Sequence, residues 1–146
     1  MSTQERLSTI DEYERLIALP ENRERRFELI NGVMVEMSPS ELHGLIAVVL
    51  SSPLHHFVRQ HNLGRVGVEV RYQMPGDEHN AVIPDVSFMS KERALPITDK
   101  GGVPQMPDLA IEIKSPDDSI TGLREKAQYY LRNGARMVWL VFPKQR

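Results

Sequence analysis

The 146-residue sequence contains no cysteine. Disulfides and thiolate zinc sites are therefore excluded, and a reducing compartment fits this composition without being proved by it. No apolar run like that of a signal peptide occurs near the N-terminus, where Glu5, Arg6 and Asp11 are charged. The longest apolar runs, such as residues 45–50, are far too short to span a bilayer. We therefore expect a soluble cytoplasmic protein that has no membrane partner.

Neither sign of charge dominates the chain, because 18 Lys and Arg residues stand against 20 Asp and Glu residues. A net charge of −2 excludes a generally basic coat for nucleic acid but leaves room for a local basic patch. The length and the 40% apolar content are those of one globular domain with a real core. We assign residues 1–146 to that single domain.

Hydrophobic periodicity and turn signals predict nine elements in the order α-β-β-α-β-β-β-α-β. This order indicates an α/β (α+β) fold with a mixed sheet flanked by helices. A long loop at residues 90–107 is of the kind that often flanks a site. The predicted elements are a helix at 9–19, a hairpin at 27–37, a helix at 39–60 capped by Ser38, strands at 64–72, 82–89 and 109–113, a helix to about 133 capped by Asp117 or Asp118, and a strand at 137–142.

The hairpin contains an acid in an apolar setting. Asn31-Gly32 is the preferred pair for a type I′ turn, because both central residues need positive φ. A two-residue loop fixes the register and places Glu28 opposite Val35, on a largely apolar face. Both faces of the hairpin are largely apolar, so we expect it to be covered on both sides. Glu28 would then need a partner, a metal or a proton.

The strand at 109–113 alternates aliphatic residues with polar ones. Glu112 and Lys114 would share the face opposite Ile111 and Ile113, roughly 6–7 Å apart between Cα atoms. One interpretation is a solvated face that carries a structural ion pair. The other is that the two side chains belong to a functional site. The strand alone does not decide between them.

Asp85 and Glu112 complete a PD…E-x-K arrangement. Asp85 supplies its PD half, since it follows Pro84 near the start of a predicted strand. Two unit charges ~4 Å apart repel by about 4 kcal/mol at an effective dielectric near 20. Asp85 and Glu112 would therefore be poor neighbours without a divalent cation, and Mg²⁺, or Mn²⁺ in its place, suits such a site. Lys114 would hold or help to deprotonate a water, and Glu28 would be a further acid. Two unrelated ion pairs remain the alternative.

Several further segments match a known pattern, from about residue 10 to the C-terminus. They are residues 26–32, residues 37–39 with His43, residues 84–88, residues 107–113 with 115–116, Lys126 with Tyr130, and residues 138–141. Together they resemble the Uma-type restriction endonucleases. The resemblance implies the restriction-endonuclease-like fold of PD-(D/E)XK nucleases and Mg²⁺-dependent cleavage of DNA phosphodiesters. It also places Glu28, Asp85 and Glu112 at the acidic positions of that pattern.

The resemblance leaves the lysine open. Many members of this family lack a lysine where Lys114 stands, and a helix lysine that matches Lys126 is offered as its replacement. Lys126 can equally be one polar position on an amphipathic helix. His43 also matches a family position and would support the site from a helix face. Family members continue beyond the last predicted strand, so a chain truncated at its C-terminus is one alternative.

Two main hypotheses follow for function. The first is a Mg²⁺-dependent DNA endonuclease, which would lose cleavage in Glu112→Ala; since duplex cleavage usually takes two sites, a homodimer is expected. The second is a non-catalytic nucleic-acid-binding or assembly module on the same fold. Its affinity for nucleic acid would fall with salt and would not change when Glu112 is replaced. Its basic patches would be Arg59 with Arg65, Lys91 with Arg93, and Arg124 with Lys126. A metal site acting on a small phosphate ester is a third reading.

Overall fold

A computed structural model describes residues 5–143 of the protein. The observed order of helices and strands is the predicted one, with a short 3₁₀ turn at Pro20–Asn22 added. The elements are α1 (Ile10–Ala18), β1 (Phe27–Ile30), β2 (Val33–Glu36), α2 (Glu41–Gln60), β3 (Gly64–Val68), β4 (Val86–Ser90), β5 (Leu109–Ile113), α3 (Ile120–Arg132) and β6 (Met137–Val141).

The main sheet has four strands in the order β3-β4-β5-β6. The first two pairings are antiparallel, and β5 pairs with β6 in parallel, so α3 forms the crossover between them. On one face, Leu109 and Ile111 pack near α2 residues such as Leu50. On the other face, Ala110 packs with Tyr130 of α3. The prediction of a mixed sheet flanked by helices is confirmed.

The hairpin β1–β2 forms a separate two-stranded sheet with the predicted register, in which Glu28 pairs with Val35. The prediction that the hairpin is covered on both sides is wrong for its second strand, β2. Within the described residues β2 pairs with β1 alone, and its Val33 side chain is 54% exposed. β1 is buried, because its backbone also pairs with Ala81 on the far side. The covered strand is therefore the one that carries Glu28.

Two predicted helix starts are wrong by a few residues. Ser40 rather than Ser38 caps α2, since its hydroxyl accepts from the backbone N–H of His43 at 3.2 Å. Ser119 rather than an aspartate caps α3, and accepts from Gly122 N at 2.9 Å. Good cap residues stand side by side in both segments, so the sequence alone does not select among them.

The strand predicted at 64–72 ends early, at Val68. Glu69 adopts φ of +54°, a left-handed conformation that breaks the extended backbone. The strand predicted at 82–89 likewise begins only at Val86, and Val82 forms an isolated bridge to Tyr72. Glu69, Val82, Ile83 and Asp85, which lie at these breaks, all line one cavity.

Helix α2 is the longest helix of the part of the chain that the structure describes. It runs over 20 residues with Pro53 inside it. None of the helices within residues 5–143 combines the length and apolarity needed to cross a membrane.

Two glycines offer a matched test of the packing. A Cβ on Gly64, whose φ is +152°, would lie 2.0 Å from the carbonyl oxygen of Met89. Gly44 lies inside α2, and a Cβ there would meet nothing within 4 Å. We expect Gly64→Ala to lower the free energy of unfolding by ~2–4 kcal/mol, and Gly44→Ala to raise it by ~0.5–1 kcal/mol. Urea unfolding of both variants checks this, and a tolerated Gly64→Ala would contradict the β3–β4 contact.

Candidate active site

Three carboxylates from separate parts of the chain meet at one cavity of about 850 Å³. Glu28 lies on β1, Asp85 directly precedes β4, and Glu112 lies on β5. Each residue is at most 6% exposed although all three line the cavity. The structure thus brings together the three acids that the sequence singled out.

Backbone pairing at the hairpin positions Glu28. Leu29 and Ala81 exchange two backbone hydrogen bonds of 2.9 and 2.8 Å, which ties β1 to the segment before Asp85. The backbone N–H of Ile83 then donates to Glu28 Oε1 at 2.7 Å. The carboxylate therefore faces the main sheet although its strand lies outside that sheet.

Asp85 is tied to β5 by its own side chain. The backbone N–H of Ile113 donates to Asp85 Oδ2 at 2.6 Å, and His43 Nε2 lies 3.0 Å from Asp85 Oδ1. Burial raises the pKa of Asp85, while the Ile113 N–H and His43 act in the opposite direction. His43 lies in the first turn of α2 and reaches the site, at the position that the resemblance implied.

Lys126 of α3 is the lysine that reaches the acids. Its Nζ lies 2.6 Å from Glu28 Oε1 and 2.7 Å from Glu112 Oε1, and the residue is only 8% exposed. Burial disfavours the ammonium, but Glu112 and Glu28 together raise the pKa of Lys126 above its ordinary value. Lys126 is therefore a charged group at the floor of the cavity, and its interpretation as one polar position on a helix surface is wrong.

Lys114 does not reach the cluster. β5 ends at Ile113, so the alternation of the strand does not extend to Lys114, whose Nζ lies 3.3 Å from the carbonyl oxygen of Ser115. The expectation that Lys114 faces the site together with Glu112 is therefore wrong in geometry. The solvated ion pair between them is wrong as well, since Glu112 is buried and pairs with Lys126.

Glu112 is the most perturbed acid of the cluster. Burial raises its pKa to about 8; Lys126 opposes the shift, while Glu28 and Asp85 add to it. Tyr130 lies one helical turn after Lys126 and donates its hydroxyl to Glu112 Oε1 at 2.8 Å. The sequence placed Tyr130 beside Lys126 among the positions that match the family pattern, without a role for its hydroxyl. Its four-residue spacing from Lys126 was the signal that could have shown a shared target.

The rim of the cavity is also acidic. Apart from the cluster of Glu28, Asp85, Glu112 and Lys126, six carboxylates and three arginine side chains line the cavity. Glu69, with its left-handed backbone, is one of these acids and pairs with Arg26 at 3.1 Å. Strained backbone of this kind occurs often at functional sites. Sequence reasoning missed Glu69, because a Val-Glu-Val strand pattern conceals the break.

The basic patches expected from the sequence are weaker than predicted. Lys126 is buried, so its patch with Arg124 does not exist. Arg93 is held by Asp108 at 3.1 Å, and Arg65 donates to the carbonyl oxygen of Leu95 at 2.6 Å. At these positions, the described surface therefore has no strongly basic patch that would offset the acidic cavity.

Comparison with known proteins shows the family of the chain and its fold. A family model described as "Uma2: Putative restriction endonuclease" matches residues 10–146. The chain belongs to the Uma2 family. The Uma2 chain is also similar to the crystal structure of a "putative nuclease belonging to DUF820" from Anabaena variabilis, at 30% identity and a TM-score of 0.74. The match covers 92% of this chain and 74% of that one.

The match shows that this Uma2 protein shares the fold of that "putative nuclease", and the predicted restriction-endonuclease-like fold is confirmed. No curated protein matches the chain.

A magnesium ion fits the donor set of this Uma2 chain. Within residues 5–143 no group of three His, Asp or Glu side chains is placed so that it could hold a metal ion. Mg²⁺ needs only one or two carboxylates, because waters and phosphate oxygens complete its octahedron. Glu28 and Glu112 use their Oε1 atoms for the contacts above, and neither Oε2 atom has a hydrogen-bond partner among the described residues. Glu112 could therefore give its free Oε2 to such an ion. Asp85, whose two oxygens lie beside His43 Nε2 and the Ile113 N–H, could bind the same ion through a remaining lone pair.

The raised pKa of Glu112 predicts how stability depends on pH without metal. An unfolded glutamate loses its proton near its ordinary pKa of 4.5, whereas folded Glu112 keeps its proton until about pH 8. Stability must therefore fall as the pH rises through that window. A glutamine side chain cannot ionise, so Glu112→Gln should match wild type near pH 4.5 and exceed its Tm by roughly 5 °C or more near pH 8.

Thermal melts in a chelator at the two pH values measure this difference. Glu125→Gln, an exposed carboxylate on the rim, is the matched control and should change little at either pH. A difference between Glu112→Gln and wild type that is the same at both pH values would contradict the burial of an ionisable Glu112.

Proposed function

We propose that this protein is a Mg²⁺-dependent DNA endonuclease that hydrolyses phosphodiester bonds at the cluster of Glu28, Asp85, Glu112 and Lys126. The observation that carries the proposal is the meeting of three buried carboxylates with one buried ammonium at the floor of an open cavity. Buried acids that exceed the available cations are costly unless a site needs them. The family and the nuclease-like fold support the same reaction class.

Asp85 and Glu112 are the residues we assign to the metal, with Mn²⁺ as an alternative to Mg²⁺. When bound there, such an ion would lower the pKa of a water and stabilise negative charge on a phosphate under in-line attack. The backbone N–H of Ile113 fixes Asp85, and the Tyr130 hydroxyl fixes Glu112 Oε1. Both acids are thereby oriented before any ligand arrives, which reduces the reorganisation that binding requires.

Lys126, rather than Lys114, takes the role of the catalytic lysine that the sequence predicts. Its ammonium would offset charge on the phosphate or hold the attacking water, because it already lies 2.7 Å from Glu112 Oε1. Glu28 acts through Lys126, since its Oε1 atom holds Nζ in place at 2.6 Å. His43 holds Asp85 from the α2 side and supports the site without a direct role as ligand.

The acidity of the cavity favours a metal-dependent reaction. Nine carboxylates around one opening repel a polyanion, and the four Lys and Arg side chains do not balance them. Of those four, Arg25, Arg26 and Lys126 already pair with Glu36, Glu69 and the two acids of the cluster. Divalent cations would remove part of this barrier to a DNA phosphate.

The alternative, a non-catalytic nucleic-acid-binding module, has less support. Its strongest patches are weakened, because Lys126 is buried and Arg93 is paired. Such a module would also gain nothing from the buried cluster. It predicts DNA binding that falls with salt and does not change in Glu112→Gln.

Plasmid nicking and calorimetric titration of Mg²⁺ on the same samples test the proposal. We expect Glu112→Gln to weaken metal binding and to reduce nicking by roughly 100-fold or more, as when charge stabilisation of a few kcal/mol is lost. Glu125→Gln on the cavity rim is the control and should keep both activities. Wild-type protein that is folded but binds no Mg²⁺ or Mn²⁺ would refute the metal-dependent mechanism, and DNA binding without nicking would favour the module.

The two lysines provide a separate test within the same assay. Lys114→Met should nick at close to the wild-type rate, because the Lys114 ammonium lies at Ser115 and outside the cluster. Lys126→Met should lose roughly 100-fold or more of the nicking rate, since it removes the cation shared by Glu28 and Glu112. Circular dichroism shows whether each variant folds. Normal nicking by folded Lys126→Met with loss in Lys114→Met would reverse the assignment.

A further inference from the structure

The outward face of α2 is apolar along its N-terminal half, while Ser52, His55 and His56 are exposed along its C-terminal half. Between Glu41 and Arg59 the sequence contains no Lys, Arg, Asp or Glu. Leu45, Val48 and Val49 lie in this interval, and their side chains are 58%, 62% and 70% exposed. A helix on the surface of a monomer ordinarily turns charged and polar residues to solvent. Its apolar half is therefore a candidate contact surface.

This outer face is not the side by which α2 packs on the rest of the chain. The opposite side of α2 already packs on the sheet through Leu50 and Leu54, and Val58 is buried. Residue spacing places Leu45, Val48 and Ser52 within a narrow sector on the outer side. Leu42 and Val49 widen the same apolar surface, and Leu42 is 56% exposed.

The two charges at the ends of this face show which occupant fits. Glu41 and Arg59 are 18 residues apart, which is five turns of an α-helix, so they project on the same side. Both are exposed, and neither has an ion-pair partner among residues 5–143. Consider a second α2 that runs antiparallel to the first, with a two-fold axis on the outer face at the level of residue 50. The partner's Arg59 would then lie beside Glu41.

We propose that the outer face of α2 is the interface of a homodimer in which two copies of α2 pack antiparallel. The two-fold axis makes the contact self-complementary, with Glu41 of each copy on Arg59 of the other. Val48 then meets the partner's Ser52, and such small side chains let the two helices approach closely near the axis.

The available area suits such a dimer. The exposed aliphatic side chains supply on the order of 400 Å² per copy, the size at which a surface patch tends to be functional. Val68, which is 54% exposed and lines the same shallow cleft as Val48, adds to that area. A standard interface buries about 800 Å² per partner, and the polar rim of a helix pair about 30 Å long can supply the rest.

A membrane surface fits the same face less well. Helices that lie in a membrane interface carry several Lys or Arg residues beside their apolar stripe. α2 has Arg59 alone, together with an acidic residue at its other end. The dimer is inferred from this face and does not depend on nuclease activity, so either proposal can fail without the other.

Charge reversal tests the antiparallel contact, with analytical ultracentrifugation as the readout. Wild type should be a dimer at micromolar concentration. Glu41→Arg or Arg59→Glu should each weaken the dimer roughly tenfold or more, because each places two like-charge pairs in the interface. A 1:1 mixture of these variants should dimerise again, because every pair is then opposite in charge. Arg124→Glu, an exposed reversal on α3, is the control and should remain a dimer.

A second variant tests the apolar part of the same face. Leu45→Glu places two charges inside the interface and should abolish the dimer, while its exposed position leaves the monomer folded by circular dichroism. A monomeric wild type would overturn the proposal, with or without binding to lipid vesicles. So would a dimer that none of these variants weakens, or a mixture of the two reversed chains that stays monomeric.

Discussion

One ammonium group holds the candidate site together. Lys126 Nζ lies within 2.7 Å of carboxylate oxygens from Glu28 and Glu112, which belong to two different sheets. This contact joins the hairpin, the central strand β5 and helix α3 at one buried point. Asp85, which directly precedes β4, joins them through the backbone of Ile113. The hairpin, the main sheet and α3 therefore each contribute a side chain or a constraint to the same cavity.

The cluster is electrostatically unbalanced as well as connected. Three buried acids face one buried lysine. Burial raises the pKa of Glu112 to about 8, and the neighbouring Glu28 and Asp85 add to the rise. A site of this kind lowers stability at neutral pH, and proteins tolerate such costs mainly where chemistry requires them. A divalent cation would relieve the imbalance, which is the reason why the proposed mechanism includes one.

Much of this could be predicted from local chemistry. The Asn31-Gly32 turn fixed the register of Glu28, and alternation placed Glu112 on a strand, because both depend on short-range geometry. The role of Lys126 was harder to predict, because it depends on how α3 packs against the sheet. The alternation around Lys114 also pointed to the wrong lysine. Glu69 was missed altogether, because a left-handed residue leaves no mark within a strand-like pattern. Tertiary contacts decide such positions, and periodicity does not report them.

The measurement that tests the account most directly is the position of Mn²⁺ in crystals of the protein, located by anomalous X-ray scattering. The account predicts one strong peak in the cavity, bound by the carboxylates of Asp85 and Glu112, and no such peak in Glu112→Gln. A fully soaked wild-type crystal without a peak in this cavity, with Lys126 still between the two glutamates, would contradict it. The cluster would then be a structural ion network on a nuclease fold.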